Sequence, residues 1–540
     1  MKTVRTFAAA AMTLAVWGAL AGAPVMAAPA ATADVASRAL PSFSDDVNRA
    51  LKTFDVPGMA IAIVADGKVL EARGYGVRKL GDPTPVDGKT LFEVASNSKA
   101  FTAATLAMLV DEGKLAWDDP VTRHLPGFQM YDSYVTGQMT VRDLLTHRSG
   151  LGLGAGDLLW WPSTNFSTDD IIERLRYVKP ATSFRASYAY DNLLYIVAGK
   201  IIAEKTGKPW GAAVQERILT PLGMSGTRTS VTDMLATSDY SAPHSKIRDK
   251  ISVVKPMPVP NAVGAVGINT NAEDIARWMN LLLNQGKMED GKQLFSSKQA
   301  AELWSEQTPM RIRDPKPALA ATKPNFLAYG LGFQLRDYKG YKVAMHGGAL
   351  QGFYSTVLMV PEKKFGIAIL TNAENSAAMA SLYYTILDQV LEAPTKTDWI
   401  KVYAEQEAAM HKEELERQGK EHTARAAASK PSLPLASYDG EYEDAWYGKA
   451  SIRAEGGKRI LRFERTPDLS GELEHFQHDT FIVRWKERNF NADAYVTFAL
   501  NPDGSIERMK MAPISTETDF SYDFRDLSFT PVKPPMAEKK

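Results

Sequence analysis

A serine three places ahead of a lysine, opening a run of small apolar residues, is where this sequence could first do chemistry: Ser96 and Lys99 in "LFEVASNSKAFTAATLAML" (91–109). On a helix, residues three apart share a face, so the Lys99 amine can reach the Ser96 hydroxyl. Burial among Ala100, Ala103, Ala104, Leu106 and Ala107 would lower the lysine's pKa and make it a base near neutral pH. At a helix N-terminus, free backbone N–H groups would favour negative charge developing beside Ser96. Spacing alone does not decide, because Ser252 and Lys255 repeat it. That second pair runs straight into "PMPVP", where prolines forbid a helix.

A nucleophilic serine needs partners, and two stretches could supply them. "SYAYDNLLY" holds Tyr190 and Asn192 just before a second apolar run. A phenol near an ammonium is biased toward phenolate, which would make Tyr190 a second base; a buried tyrosine with a satisfied hydroxyl is the alternative. "MHGGALQG" holds His346, Gly347 and Gly348 at a strand edge, where glycines would let a substrate backbone approach and pair. Taken alone, His346 could equally be a packed or surface histidine.

The surrounding elements must bring these stretches together. "GMAIAIVADGKVLEARGYG" reads as a hairpin turning at Asp66-Gly67, and the Ser96 helix stops at Gly113. "DNLLYIVAGKIIAEKTG" is a helix closed by Gly207, and "YKVAMHGG", "GFYSTVLMVP" and "KFGIAILTN" are three consecutive strands. Strands at both ends with helices between them give an α+β domain over 28–395 whose terminal strands share one sheet. The highly charged helix and "KPSLP" linker of 396–435 read as a solvated spacer, with an oligomer contact as the alternative. Short strands with Gly, Asp and Pro turns make 436–540 a small all-β domain, a barrel or sandwich.

The 540 residues balance 63 Lys and Arg against 63 Asp and Glu, so no net field draws in nucleic acid or anionic lipid. Lys2 and Arg5, the apolar run after them and the small residues of "PVMA" read as a signal peptide over 1–27 cleaved near Ala27. A single membrane anchor is the alternative, and cleavage would place the mature chain in a periplasm or outside the cell with no membrane span. With no cysteine, thiol nucleophiles and thiolate metal sites are excluded. His475 and His478 in "EHFQHDT" read as surface residues rather than a metal site, since positions three apart on a strand face oppositely. Trp160 and Trp161, followed by Pro162, either line a substrate cleft or pack their glycine-rich loop.

Ser96-Asn97-Ser98-Lys99, Tyr190-Asp191-Asn192 and His346-Gly347-Gly348 together resemble the class C β-lactamase and D-alanyl-D-alanine carboxypeptidase superfamily, in order and spacing. "DLLTHRSGL" (143–151), "TPLGM" (220–224) and "YGLGFQL" (329–335) are similar to supporting segments of that family, and the likeness spans about 45–390. The resemblance implies a β-lactamase/transpeptidase-like fold, an antiparallel sheet with helices on both sides and a helical subdomain. It implies an acyl-enzyme on Ser96, proton traffic shared by Lys99 and Tyr190, and Asn192 orienting Lys99 or the substrate amide. The N–H groups of Ser96 and Ala349 would form the oxyanion hole, with no metal and no organic cofactor. Typical β-lactamases carry a lysine where this chain has His346, whose ordinary pKa of roughly 6.5 leaves it mostly neutral at pH 7. A fixed cation for a substrate carboxylate is therefore missing. The expectation moves to a small linear peptide cleaved after a D-amino acid, with an esterase, a carboxypeptidase or β-lactamase-like hydrolase, or a silent peptidoglycan-binding relative as alternatives.

Overall fold

In a computed structural model, residues 31–393, 397–426 and 428–532 are described; the segment read as a signal peptide, 1–27, lies outside them. Strand β1 (Gly58–Ala65) is buried at every position, with no polar alternation, because the sheet it enters is covered on both faces. It turns at Asp66-Gly67 into β2 (Lys68–Lys79), which leads to β3 (Asp82–Pro85). The rest of the sheet comes late in the chain: β4 (Thr308–Pro309), β5 (Leu327–Tyr329), β6 (Gln334–Tyr338), β7 (Tyr341–Leu350), β8 (Phe353–Val360) and β9 (Phe365–Thr371). The order is β3-β2-β1-β9-β8-β7-β6-β5-β4, so β1 and β9 are antiparallel neighbours, with Ile61 opposite Ile369. The two ends of the domain thus share one sheet.

Helices α1 (Thr32–Thr53) and α5 (Ser376–Val390) cover one face, where Phe43, Val47, Ile61, Ile367 and Leu382 make a core. The other face carries α2 (Ser98–Asp111), α3 (Leu193–Thr206) and α4 (Ala272–Leu283). Helix α2 is buried almost all round, from Ser98 to Leu109, which is why it shows no polar stripe. Phe101 of α2 stacks on Trp278 of α4 at 4.2 Å between ring centroids. Gly113 and Gly207, at φ +68° and +67°, take the left-handed conformation that ends α2 and α3.

Helix α6 (Trp399–Ala424) is exposed or half-buried over most of its length, as its charge predicts, but three of its residues are buried. Trp399 and Ile400 are buried, and the Trp399 indole N–H donates to Asp388 of α5 at 2.8 Å. Further along, Glu414 is buried and accepts from the Thr516 hydroxyl (2.7 Å) and the Ser515 hydroxyl (3.0 Å). Those residues belong to the second domain, whose eight antiparallel strands between Gly440 and Pro531 nearly close into a barrel. Met509 and Phe529 exchange backbone hydrogen bonds across the gap. The charged helix is a strut between the domains, held by two buried apolar residues and one buried acid.

The paired glycines of β7 do different work. A Cβ on Gly348 would lie 2.1 Å from the Val94 carbonyl oxygen and 2.5 Å from Ser355 Oγ, whereas one on Gly347 would meet nothing nearer than 3.9 Å. Gly348 therefore admits the chain's own backbone just before Ser96, whereas Gly347 leaves open space on its Cβ side. Gly348→Ala is expected to overpack this contact and cost ~1–3 kcal/mol. Gly347→Ala should stay within about 0.5 kcal/mol of wild type. Thermal and urea melts of the two variants check the contrast, and equal losses would refute it.

Candidate active site

Ser96 sits in a single 3-10 turn (Ala95–Asn97) that runs directly into α2. Two contacts pin this turn to the sheet. Asn97 Nδ2 donates to Ser355 Oγ of β8 at 2.8 Å, and Ser355 Oγ donates to the Val94 carbonyl at 2.9 Å. Ala95 takes φ +48°, a left-handed conformation unusual for a side chain with a Cβ, and the strain lies one residue from Ser96.

Lys99 is fully buried, with Nζ 2.9 Å from Ser96 Oγ, 2.8 Å from Asn192 Oδ1 and 3.5 Å from the Ala265 carbonyl oxygen. Nζ also stands over the ring faces of Tyr190 (4.9 Å to the centroid) and Tyr195 (5.2 Å). Burial drives its pKa from 10.5 down to about 7, against the opposing pull of Asp157 and Asp191. A neutral amine has two N–H bonds and one lone pair. With Asn192 Oδ1 and the Ala265 carbonyl taking the N–H bonds, the lone pair faces the Ser96 hydroxyl. The decoy pair is nothing like this: Ser252 is on a short surface strand, and its hydroxyl turns back to the Lys250 carbonyl.

Asn192 stands at the cap position of α3 yet makes no side-chain cap bond. Its amide is committed elsewhere, accepting from Lys99 and donating through Nδ2 to Asp157 Oδ2 at 2.8 Å. The neighbouring Asp191 accepts from the Leu194 N–H in its place. Burial pushes the pKa of Tyr190 well above 10, with the nearby Ser96 side chain pulling the other way. Burial thus disfavours the phenolate form of Tyr190, and Lys99, brought down to about 7, is the group poised to take a proton near neutral pH.

His346 is buried on β7. Its Nδ1 lies 2.6 Å from the Gly347 carbonyl oxygen and its Nε2 lies 2.8 Å from the Tyr329 hydroxyl. A carbonyl only accepts, so the network assigns the proton to Nδ1 and makes Nε2 the acceptor. Burial, with the charge of Lys99 adding to it, lowers the pKa of His346 to about 3, and no cation stands at this position at neutral pH. Pairing of β7 with β6 ends at Met345, and Ala349 beyond it is exposed opposite Tyr354 of β8.

Sequence reading missed Asp157 and the barrel segment around Ser521. Asp157 is fully buried; it accepts from Trp160 Nε1 on Oδ1 and from Ser521 Oγ on Oδ2, both at 2.8 Å. Its only local signal is an acid set in the glycine-rich loop before "LLWW". Ser521 gave no signal at all. Beside it, Phe520 is 40% exposed and meets the Tyr190 ring edge-on at 5.9 Å. The tryptophans do not line the cleft: Trp160 holds Asp157, and Trp161 packs edge-on against Tyr522. His475 Nε2 is 2.9 Å from the His478 carbonyl, far in chain and domain from this site.

These groups can transfer a proton from Ser96 to Lys99 and no farther without a substrate. Acylation of Ser96 by a fluorophosphonate should therefore follow the neutral fraction of Lys99. The rate is expected to be level above about pH 8 and to fall about tenfold per unit below pH 6. A flat profile from pH 5 to 9 would exclude Lys99 as the base.

Residues 43–392 match the family model described as Beta-lactamase, and 424–531 match one described as a domain of unknown function, DUF3471. The chain is 30% identical over 492 residues to the unguisins hydrolase ungD' of Aspergillus campestris, across 86% of this chain and 87% of that protein. It is 29% identical over 345 residues to penicillin-binding protein 4 of Amycolatopsis lactamdurans, across 62% of this chain and 84% of that one. Its fold is similar to that of the octameric penicillin-binding protein homologue from Pyrococcus abyssi, with a TM-score of 0.56, 19% identity and coverage of 91% and 99%.

Proposed function

This chain belongs to the β-lactamase family of serine hydrolases, and from that premise we propose that it cleaves amide bonds of small linear peptides through an acyl-enzyme on Ser96. The observation that carries the reading is the buried Lys99 amine, 2.9 Å from Ser96 Oγ and half neutral near pH 7. In acylation, Lys99 takes the hydroxyl proton as Oγ bonds to the carbonyl carbon. The N–H groups of Ser96 and Ala349 receive the oxyanion. The neutral Tyr190 phenol passes a proton to the departing amine as the C–N bond breaks, and the Lys99 ammonium then gives its proton to the Tyr190 oxygen, which leaves Lys99 a neutral base again. Water then attacks the ester, Lys99 accepting its proton, and Ser96 is released with its hydroxyl restored. Asn192 orients Lys99 throughout, and no step requires a metal or organic cofactor.

The preferred bond follows an internal D-amino acid. Linearised microcystin, cut between alanine and leucine to release a tetrapeptide, is the substrate we put first, on the likeness of overall length, motif spacing and C-terminal β domain to the peptidase that performs that cut. A neutral His346 supports this over β-lactam hydrolysis or carboxypeptidase action, because both place a carboxylate where this chain offers no cation. Action outside the cytoplasm, after loss of residues 1–27, is part of the same proposal.

The test is mass spectrometry of products from linear peptides with an internal D-Ala–L-Leu bond, linearised microcystin among them. A D-Ala-D-Ala peptide, a chromogenic β-lactam and a short-chain ester run beside them. Serine-dependent cleavage after the internal D-alanine is the expected result. Turnover of the ester or β-lactam alone would overturn the peptide assignment while keeping the acylating pair. Ser96→Ala, Lys99→Ala and Tyr190→Phe should each lower kcat by about 10²- to 10⁴-fold with the fold intact; a folded Lys99→Ala with near-normal turnover would remove Lys99 from the mechanism.

A further inference from the structure

Asp157 is a buried carboxylate that no step of the acylation uses. It lies in the loop between the segments bearing Lys99 and Asn192, and three side chains donate to its two oxygens: Trp160 on Oδ1, Asn192 and Ser521 on Oδ2, each at 2.8 Å. Ser521 comes from the C-terminal barrel, and the same strand-to-strand segment sends Asp523 Oδ2 to the Gly156 N–H at 2.8 Å. Burial raises the pKa of Asp157 from 3.8 to about 7 even with these donors and Lys99 opposing it, so the donors are what lets the acid keep part of its charge near neutral pH.

The chain of contacts runs without a break from the barrel to the serine: Ser521, Asp157, Asn192, Lys99, Ser96. Each link restricts the next. An amide has one accepting and one donating end, and the bond from Nδ2 to Asp157 dictates that Oδ1 faces the Lys99 amine. Were the amide reversed, its NH₂ would meet the amine's own hydrogens, and the lone pair would lose its direction toward Ser96.

We propose that Asp157 is a positioning residue for Lys99, acting through Asn192, and that the C-terminal barrel is a working part of the active site because Ser521 holds Asp157. The proposal rests on the reading of Ser96 and Lys99 as the acylating pair. Besides Lys99, the titratable groups facing this network are Asp191, His147, His346, Tyr190 and Tyr195 from the hydrolase domain, and Asp523 and Asp519 from the barrel, the latter accepting from the Ser521 N–H at 2.8 Å. The substitutions below leave all of these in place.

Full-length Ser521→Ala, Ser521→Thr and Asp157→Asn are compared with wild type by two readouts. One is the pH profile of Ser96 acylation by a fluorophosphonate. The other is the titration of Lys99 by NMR in [ε-¹³C]lysine-labelled protein, assigned with Lys99→Arg. Asp157→Asn removes a negative charge that favours the ammonium, so the Lys99 midpoint and the acid limb should both move to lower pH. Its plateau rate should drop about tenfold or more, the rate equivalent of one hydrogen bond to a charged group. Ser521→Ala should shift both in the same direction by less, and Ser521→Thr, which keeps the hydroxyl, should restore them. Folded Ser521→Ala and Asp157→Asn proteins with wild-type plateau and midpoint would overturn the proposal. Should Asp157→Asn not fold, the Ser521 pair decides. Absence of labelling on wild-type Ser96 would count against the acylating pair, while the NMR midpoints would still decide what Asp157 does to Lys99.

Discussion

An amine that has surrendered its water needs a replacement for every contact, and Lys99 draws its replacements from separate pieces of chain. The turn before α2 supplies Ser96, the start of α3 supplies Asn192 and the rings of Tyr190 and Tyr195, and a distant short helix (Val263–Val266) supplies the Ala265 carbonyl. No carboxylate touches the amine directly among the described residues; Asp157 is one amide away. Moving a lysine pKa from 10.5 to about 7 corresponds to on the order of 5 kcal/mol of preference for the neutral form. A direct ion pair would cancel that preference and leave an ammonium with no base character. The amide spacer keeps the negative charge near enough to orient the amine and far enough to leave it a base.

Several constraints in the fold follow from keeping that amine dry. Helix α2 has to be buried on all sides, which explains its run of small residues and the large aromatic contact between Phe101 and Trp278. The strand carrying His346 must press against the serine turn closely enough to need a glycine at 348. A second cation at position 346 would be repelled by the charged form of Lys99. The neutral imidazole, held by Tyr329 and the Gly347 carbonyl, avoids that repulsion while still filling the position with a hydrogen-bonding side chain.

How much of this could be read in the residues depended on range. Ser96 and Lys99 were legible because three residues on a helix make a local geometry, and the terminal hairpin and the last three strands because alternation and glycine turns are also local. Tyr190 and Asn192 were visible as a pair, but the proton on Tyr190 was not, since burial is a property of the finished core. Gly347 and Gly348 look alike in sequence and differ only in what lies across from them. The density of charge on α6 masked Trp399 and Glu414, one residue type out of pattern at the start and one acid whose partners are about a hundred positions away. Asp157 and Ser521 are 364 residues apart, and no short-range pattern joins them.

That separation has a consequence for the order in which the molecule comes into being. A polypeptide made from its N-terminus presents Ser96, Lys99, Asp157 and Asn192 early, while the hydroxyl that completes the carboxylate's shell comes with the last strands of the barrel. Until then, Oδ2 of a buried acid has the Asn192 amide as its donor but not the Ser521 hydroxyl. The buried acid beside the catalytic lysine thus has its full set of side-chain donors only when the whole chain is present and both domains have closed on each other. A chain cut short before Ser521 would keep every residue of the recognisable motifs and lack one of the three side-chain donors to Asp157.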